Sequence, residues 1–214
     1  MKSALFISLL PCLSLYAQAQ EPTPNEWFRR GVDAFYAAKP QDSVAAFDAL
    51  IKLQPEAKPQ LWQRGLSLYY TGQFKEGREQ FEVHQTVNPN DVENAAWHFI
   101  CVAKADGLEE AKKNLIAIRG DSRVPMAEVH NLFAGKGSVD DVMKAAQAGA
   151  ESDRTNQLCY AHLYLGLYFE ALGQLEKAKE HMLKSAIDYK MDHYMGKTAQ
   201  VHVRVRGWAP TPQE

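Results

Sequence analysis

The chain has 214 residues, of which 46% are hydrophobic and 23% charged, enough apolar material for one globular core and not the composition of a disordered chain. Its formal charge is -2, so the chain lacks the basic field that attracts nucleic acid, and we exclude nucleic acid as a partner.

Residues 1–19 predict a secretory signal peptide. A lysine precedes an apolar stretch, and Ala17 and Ala19 form the small-x-small pattern of a cleavage site, so we expect a mature chain from Gln20. The stretch is short for a bilayer span and Pro11 interrupts it. That proline also stands where a lipoprotein signal needs a small residue before its cysteine. We expect an exported protein, periplasmic or secreted, and peripheral attachment to a membrane stays open.

The remainder of the chain repeats itself at an interval of about 34 residues. Aligning "WFRRGVDAF…AFDALIKLQP" with "LWQRGLSLYY…QFEVHQTVNP" pairs identical residues at one offset: Gly31 with Gly65, Phe47 with Phe81, and Pro55 with Pro89. Small residues continue the same phase at Ser43, Gly77, Ala111, Ala145 and Ala178. A fixed offset over several units predicts a repeat architecture.

The segment "LYLGLYFEALGQLEKAKEHM" carries the fullest version of this pattern, at Leu165, Gly166, Phe169, Gly173, Ala178 and Met182. The pattern resembles the tetratricopeptide repeat, a helix-turn-helix unit. This resemblance implies an all-α, right-handed superhelical solenoid of about five repeats over residues 25–190. A C-terminal capping helix over 191–206 and a disordered tail over 207–214 would follow. The third and fourth units match the pattern least.

The repeat predicts helical hairpins near 25–53, 58–87, 92–119, 125–150 and 154–189, followed by a helix near 192–206. The last segment contains "VHVRVR", which also permits a short strand, although we favour helix. We expect Gly65 and Gly77 at close helix contacts and Gly72 at a left-handed turn. Asp91 and Ser138 predict helix starts.

The sequence predicts no catalytic residue, no cofactor and no metal site. The histidines form no H-E-x-x-H pair, and "GKGS" at 135–138 lacks the first glycine of a phosphate loop, so we interpret it as an interhelical turn. Paired carboxylates at 109–110 and 140–141 lie in first helical turns, where they complement the helix dipole. Cys101 and Cys159 form either a disulfide or two buried thiols.

The resemblance also implies a concave groove lined by the first helix of each repeat. Its groove-facing positions are held by Phe28, Val32, Phe35, Tyr36, Trp62, Leu66, Tyr69, Tyr70, Tyr160, Leu163 and Leu167. Such an aromatic wall suits an apolar or extended peptide segment. The alternative is that terminal residues cover several of these side chains, or that they are simply core.

We therefore expect a non-enzymatic scaffold or adaptor that binds another protein or a peptide segment in the groove. One alternative is an enzyme or small-ligand-binding protein with its pocket there. Polar side chains that converge in a deep concavity would favour this alternative, whereas a smooth aromatic wall would count against it. Another is a lumenal assembly factor for a membrane complex. The partner and the oligomeric state do not follow from the sequence.

Overall fold

A computed structural model describes residues 21–208 as an all-helical protein without β-strands in that range. The helices are α1 (Pro24–Tyr36), α2 (Pro40–Leu53), α3 (Trp62–Tyr70), α4 (Phe74–Gln85), α5 (Val92–Asp106), α6 (Leu108–Lys113), α7 (Met126–Phe133), α8 (Val139–Ala148), α9 (Glu151–Ala171), α10 (Leu175–Leu183) and α11 (Tyr194–Val205). A 3₁₀ turn, Pro55–Gln60, precedes α3, and a π-helical turn, Lys184–Asp188, follows α10. The predicted leader lies outside the described residues.

Consecutive helices pack against each other along the chain, which gives a helical repeat-like architecture. The helix pairs α1–α2, α3–α4, α5–α6, α7–α8 and α9–α10 begin and end within four residues of the predicted hairpins, except that α6 and α10 each end six residues early. The segment "VHVRVR" belongs to α11, so the preference for helix over strand is confirmed.

Each hairpin turn contains one residue with positive φ. These residues are Ala38, Gly72, Gly107, Gly135 and Gly173. Four are glycines, which reach positive φ without the steric cost of a Cβ atom. The expected left-handed turn at Gly72 (φ 77°) and the interhelical turn at 135–138 are confirmed.

Glycines in the first helices allow a large side chain of the second helix to approach. A Cβ atom on Gly31 would lie 2.7 Å from the ring of Phe47, and one on Gly65 would lie 2.5 Å from the ring of Phe81. Gly77 has the sulfur of Cys101 on the next hairpin as its closest neighbour, at 3.0 Å from such an atom. The expected close helix contacts at Gly65 and Gly77 are therefore confirmed.

The small residues of the 34-residue phase are mostly interior. Ser43, Gly77, Ala111 and Ala178 are buried. In the fourth unit the phase is one residue off, because Ala146 is fully buried and Ala145 is only half-buried.

Both predicted helix starts are confirmed, because each has a side chain that caps the helix. The side chain of Asp91 accepts a hydrogen bond from the N–H of Glu93, and Ser138 forms a capping box with Asp141. The middle of the chain departs from the repeat, since α6 has only six residues and an irregular segment, 114–125, follows it.

Helix α11 lies against the faces of the earlier helices that the alignment assigns to the groove. The ring of Tyr194 stacks on Phe35 at 5.8 Å and meets Trp62 edge-on at 4.6 Å. Two residues of the predicted tail also have defined positions: Gly207 has positive φ, and Trp208 packs 5.2 Å from the ring of His202. The last six residues lie outside the described range.

Both cysteines in the described range are buried free thiols, which decides between the two alternatives for Cys101 and Cys159. Within residues 21–208, no helix combines the length and apolar character needed to cross a bilayer.

Candidate functional site

A pocket of about 250 Å³ opens between α3, α4, α5, α9 and the start of α11. Aromatic, carboxylate, amide and imidazole side chains share its wall, together with one guanidinium. The lining residues are Trp62, Phe81, His84, Asp91, Glu93, Asn94, Trp97, Arg123, Tyr160, His193, Tyr194 and Met195. The pocket is thus the part of the predicted groove that α11 leaves open.

Aromatic rings form two sides of the pocket. Trp62 and Tyr194 meet edge to face, and on the other side Tyr160 stacks on His193 with ring centroids 5.0 Å apart. Trp97 of α5 is almost completely buried behind them. Large rings with few rotatable bonds give a rigid wall that loses little conformational entropy when a ligand binds.

A charged cluster stands at one edge of the pocket, around Arg123 in the irregular segment 114–125. Its guanidinium donates from Nε to Oδ1 of Asp121 at 2.9 Å and from Nη2 to Asp91 and Asp121 at 2.6 Å each. Nη1 donates to Oε1 of Glu93. The cluster joins the start of α5 to the segment that replaces a full-length α6.

The buried position of Glu93 perturbs its ionisation. Burial, with a smaller contribution from the carboxylates of Asp91 and Asp121, raises the pKa of the Glu93 carboxyl to about 7 against the opposing effect of Arg123. The pKa of Asp121 behaves differently, since hydrogen bonds from Arg123 and from the Val92 N–H outweigh its burial and lower that pKa. Glu93 therefore titrates near neutral pH.

His193 positions the start of α11 at the pocket. Its Nδ1 accepts a hydrogen bond from the N–H of Gly196 at 3.2 Å, which caps the helix, and its Nε2 lies 2.9 Å from Oδ1 of Asn156. This arrangement requires the neutral tautomer with the proton on Nε2. Burial lowers the pKa of His193 and so favours this neutral form.

Three lining side chains carry a buried polar atom without a hydrogen-bond partner among the described residues. These atoms are Oδ1 of Asn94, Nε1 of Trp97 and the hydroxyl of Tyr194. The amide nitrogen of Asn94 donates to the carbonyl of Phe81 and to Gln85, so the oxygen is the unpaired end. Buried polar atoms without a partner are rare in folded proteins, and these three belong to side chains that line the pocket.

A second buried cluster holds the far end of α11. Oε1 of Glu170 accepts from the hydroxyl of Tyr69 at 3.0 Å and from Nη2 of Arg206 at 2.5 Å, and His202 Nε2 lies 2.9 Å from Oε2. Nδ1 of His202 is 3.0 Å from the hydroxyl of Tyr70. Burial raises the pKa of Glu170, but His202 and Arg206 outweigh that effect and hold the pKa at about 2.

The structure distributes the predicted groove residues between the pocket, the core and the surface. Trp62 and Tyr160 line the pocket. Six are buried, namely Phe35, Leu66, Tyr69, Tyr70, Leu163 and Leu167. Tyr36 packs on Tyr194, Val32 belongs to a small cluster around Phe47, and Phe28 is exposed outside the pocket. The open aromatic groove expected from the sequence is therefore largely interior, because α11 covers it.

Sequence reasoning did not assign Arg123, His193 or Tyr194 to the site. No pattern links them to α5, since Arg123 lies 30 residues after Glu93 and comes from an irregular segment. The described residues contain no group of three or more His, Cys, Asp or Glu side chains that could hold a metal ion. No protein family model matches the chain.

Proposed function

We propose that the protein is an exported, non-enzymatic adaptor of the tetratricopeptide type that binds a segment of another protein in the pocket beside α11. In this proposal about five helix-turn-helix repeats form a right-handed solenoid, and α11 caps it. The earlier helices and α11 together form the binding wall.

Two regularities support the repeat assignment. The same contact between a glycine of the first helix and a large residue of the second recurs as Gly31–Phe47, Gly65–Phe81 and Gly166–Met182. A residue with positive φ recurs at every hairpin turn. Because a repeat unit buries its apolar face only against its neighbours, such recurring contacts are typical of stacked repeats.

The observation that carries the binding function is the pocket itself. It combines five aromatic side chains with buried polar atoms that lack partners, and its volume beside α11 is about 250 Å³. A cavity of this size is below the range of about 300–1,000 Å³ typical of drug-sized ligands. It suits one side chain of a partner segment.

A small-ligand-binding protein is the second candidate. Glu93 and Arg123 converge at the pocket beside unpaired Asn94 and Trp97 atoms, which favours a discrete ligand over a smooth peptide groove. Binding still accounts for this arrangement better than catalysis, because the guanidinium of Arg123 is already occupied by three carboxylates.

Export rests on the leader alone, and those residues lie outside the described range. The compartment, periplasmic or secreted, therefore stays a prediction. The alternative of a lumenal assembly factor has no observation of its own in the described residues.

Site-specific photo-crosslinking in the native host tests the proposal. A photoreactive residue at position 62, on the pocket wall, should capture a defined partner, whereas one at the exposed Leu175 on α10 should not. The captured protein is then purified and its affinity measured by calorimetry. Trp62→Ala and Tyr160→Ala should each weaken binding at least tenfold, because each removes an aromatic wall.

Phe28→Ala is the matched control, since Phe28 is an exposed aromatic outside the pocket. Its affinity should equal that of the wild type. Equal affinity for all three variants, with unchanged thermal stability, would remove the pocket from the proposal.

A further inference from the structure

The charged cluster at the edge of the pocket has a net negative charge. Three carboxylates, Asp91, Glu93 and Asp121, surround the single guanidinium of Arg123, so negative charge remains even when Glu93 is protonated. Arg123 is the one lysine or arginine among the described lining residues. Its Nε, Nη1 and Nη2 all donate within the cluster, which leaves little capacity to bind an anion.

The acceptors that remain suit a donor-rich ligand. The bond from Arg123 uses Oε1 of Glu93, so Oε2 can accept from a further donor besides the neighbouring Tyr164 hydroxyl. Oδ1 of Asn94, next along α5, is buried and has no partner within the described range. An ammonium group has three donors and no acceptor, so it suits a pocket whose charged side chains leave only acceptors free.

The aromatic wall favours the same kind of ligand. Trp62, Tyr160 and Tyr194 line the pocket, and Trp97 is buried behind them. Aromatic faces attract cations through the ring quadrupole, most strongly where water is excluded. Carboxylates combined with several rings therefore select an organic cation over a neutral or anionic group of the same size.

We infer that the pocket binds a primary ammonium group at the end of a short alkyl arm, the side chain of a lysine in the partner segment. This inference rests on the proposed function, because it assumes that the ammonium group belongs to a lysine of a bound partner protein. Glu93 receives the ammonium, and the rings enclose the alkyl arm.

Binding of small probes to the full chain tests this inference. Nα-acetyl-lysine N-methylamide is titrated against the norleucine and glutamate derivatives, with binding followed by NMR and by tryptophan fluorescence. We expect the lysine derivative to bind at least tenfold more tightly than either. Equal affinity for norleucine, or tighter binding of glutamate, would overturn the inference. Tighter binding of n-butylammonium than of the lysine derivative would overturn the assignment to a partner's side chain.

Two variants localise the effect. Glu93→Gln keeps the shape of the side chain but removes the negative charge, and it should weaken lysine binding at least tenfold. Glu176→Gln, on the exposed first turn of α10, should leave binding unchanged. Wild-type affinity in a folded Glu93→Gln protein would contradict the inference. If that variant fails to fold, Trp62→Leu is used instead, which removes one ring of the wall. It should weaken lysine binding, and wild-type affinity in a folded Trp62→Leu protein would contradict the inference.

The pH dependence provides a further readout. The lysine probe stays charged between pH 6 and 8, whereas Glu93, with a pKa of about 7, gains charge, so affinity should rise roughly tenfold. The ionisable groups around Glu93 are Asp91, Asp121, Arg123, Tyr160, Tyr164, His84 and His193. Glu93→Gln should flatten the rise, and a rise that persists in this variant would contradict the role of Glu93.

The outcome separates this inference from the proposed function. If a partner is captured at position 62 but lysine probes bind no better than norleucine, the inference fails and the adaptor proposal stands. If lysine binds through Glu93 but no partner depends on Trp62, the adaptor proposal fails instead.

Discussion

Gly65 shows how a single residue decides whether a helical hairpin closes. Glycine costs roughly 1 kcal/mol relative to alanine inside a helix, yet here its missing Cβ lets the ring of Phe81 lie against the backbone of α3. Phe81 is 1% exposed, so its ring has little room to move. Close packing of this ring more than offsets the loss in helix propensity.

Gly65→Ala should therefore lower the free energy of unfolding, although alanine is the better helix former. A Cβ 2.5 Å from the Phe81 ring must displace it, and overpacking of this kind costs about 1–3 kcal/mol. After the gain in propensity we expect a net loss of up to about 2 kcal/mol in urea unfolding. Gly120→Ala is the control, because a Cβ atom at that position would have open space for 4 Å around it, and it should change stability by less than about 0.5 kcal/mol.

A double variant identifies the cause. In a Phe81→Leu background the smaller side chain leaves space, so Gly65→Ala should cost less than in the wild type. The same cost in both backgrounds would show that the clash with Phe81 is not responsible.

Arg123 is a residue whose role could not be predicted from its neighbours in the sequence. Its partners Asp91 and Glu93 precede it by about thirty residues, and the segment that carries it has no regular periodicity. Its position depends on how segment 114–125 folds back on the start of α5. A helical pattern provides no information about such a segment.

At the scale of elements, α11 determines what becomes of the predicted groove. Its first turn packs Tyr194 among Phe35 and Trp62, and its last turn brings His202 to Glu170, with Arg206 directly after the helix. The sequence predicts this helix and its boundaries closely, but not the surface it covers. Contacts between residues more than 100 positions apart, such as Tyr70 with His202, leave no local signal.

Glu170→Gln should loosen α11 without unfolding the remainder of the protein. The substitution leaves Arg206 and His202 without their buried carboxylate, whereas the amide oxygen can still accept from Tyr69. Loss of one partner of a buried ion pair costs several kcal/mol, and because Arg206 is partly exposed we expect roughly 2–4 kcal/mol. Hydrogen exchange should rise in α11 more than in α2.

Glu180→Gln is the matched control for this prediction. Glu180, near the end of α10, forms an exposed i,i+4 pair with Lys184, and such pairs contribute at most about 0.5 kcal/mol. Unchanged protection of α11 in Glu170→Gln would show that the cluster does not hold the helix.

At the scale of the whole molecule, buried histidines make stability depend on pH. Burial lowers the pKa of His98, His162, His181, His193 and His202. The strongest case is His162, whose pKa falls to about 4 through burial and through His181, since the two Nδ1 atoms lie 2.8 Å apart. Only one proton fits between these nitrogens.

The free energy of unfolding should therefore fall as the pH drops below about 6.5. The unfolded chain takes up protons at its ordinary histidine pKa, whereas the folded chain does so only at lower pH, so acid favours unfolding. Glu93, with its raised pKa, has the opposite effect, because its stabilising contribution is complete below 4.5 and disappears as the pH rises through about 7. Five histidines favour unfolding in acid and Glu93 alone opposes it, so the net effect of lowering the pH is a loss of stability.

His162→Gln should reduce the slope of stability against pH between 6.5 and about 4 by up to about 1.4 kcal/mol per unit, the value for one proton. Urea unfolding at several pH values measures this slope. The comparison uses slopes, so a general loss of stability in the variant does not affect it. A variant with the wild-type slope would contradict the role of His162.

The amino-acid sequence alone was sufficient to predict the helical hairpins, their turns and caps, and the glycine contacts within them. These features follow from short-range patterns, because residues such as Gly65 and Phe81 lie within one repeat and their spacing is set by helix geometry. Only the folded chain reveals that α11 covers most of the aromatic face and that Arg123 meets Glu93 at the remaining pocket. Both depend on how segments far apart in the chain pack together. Such contacts produce no repeating pattern in the sequence from which they could be predicted.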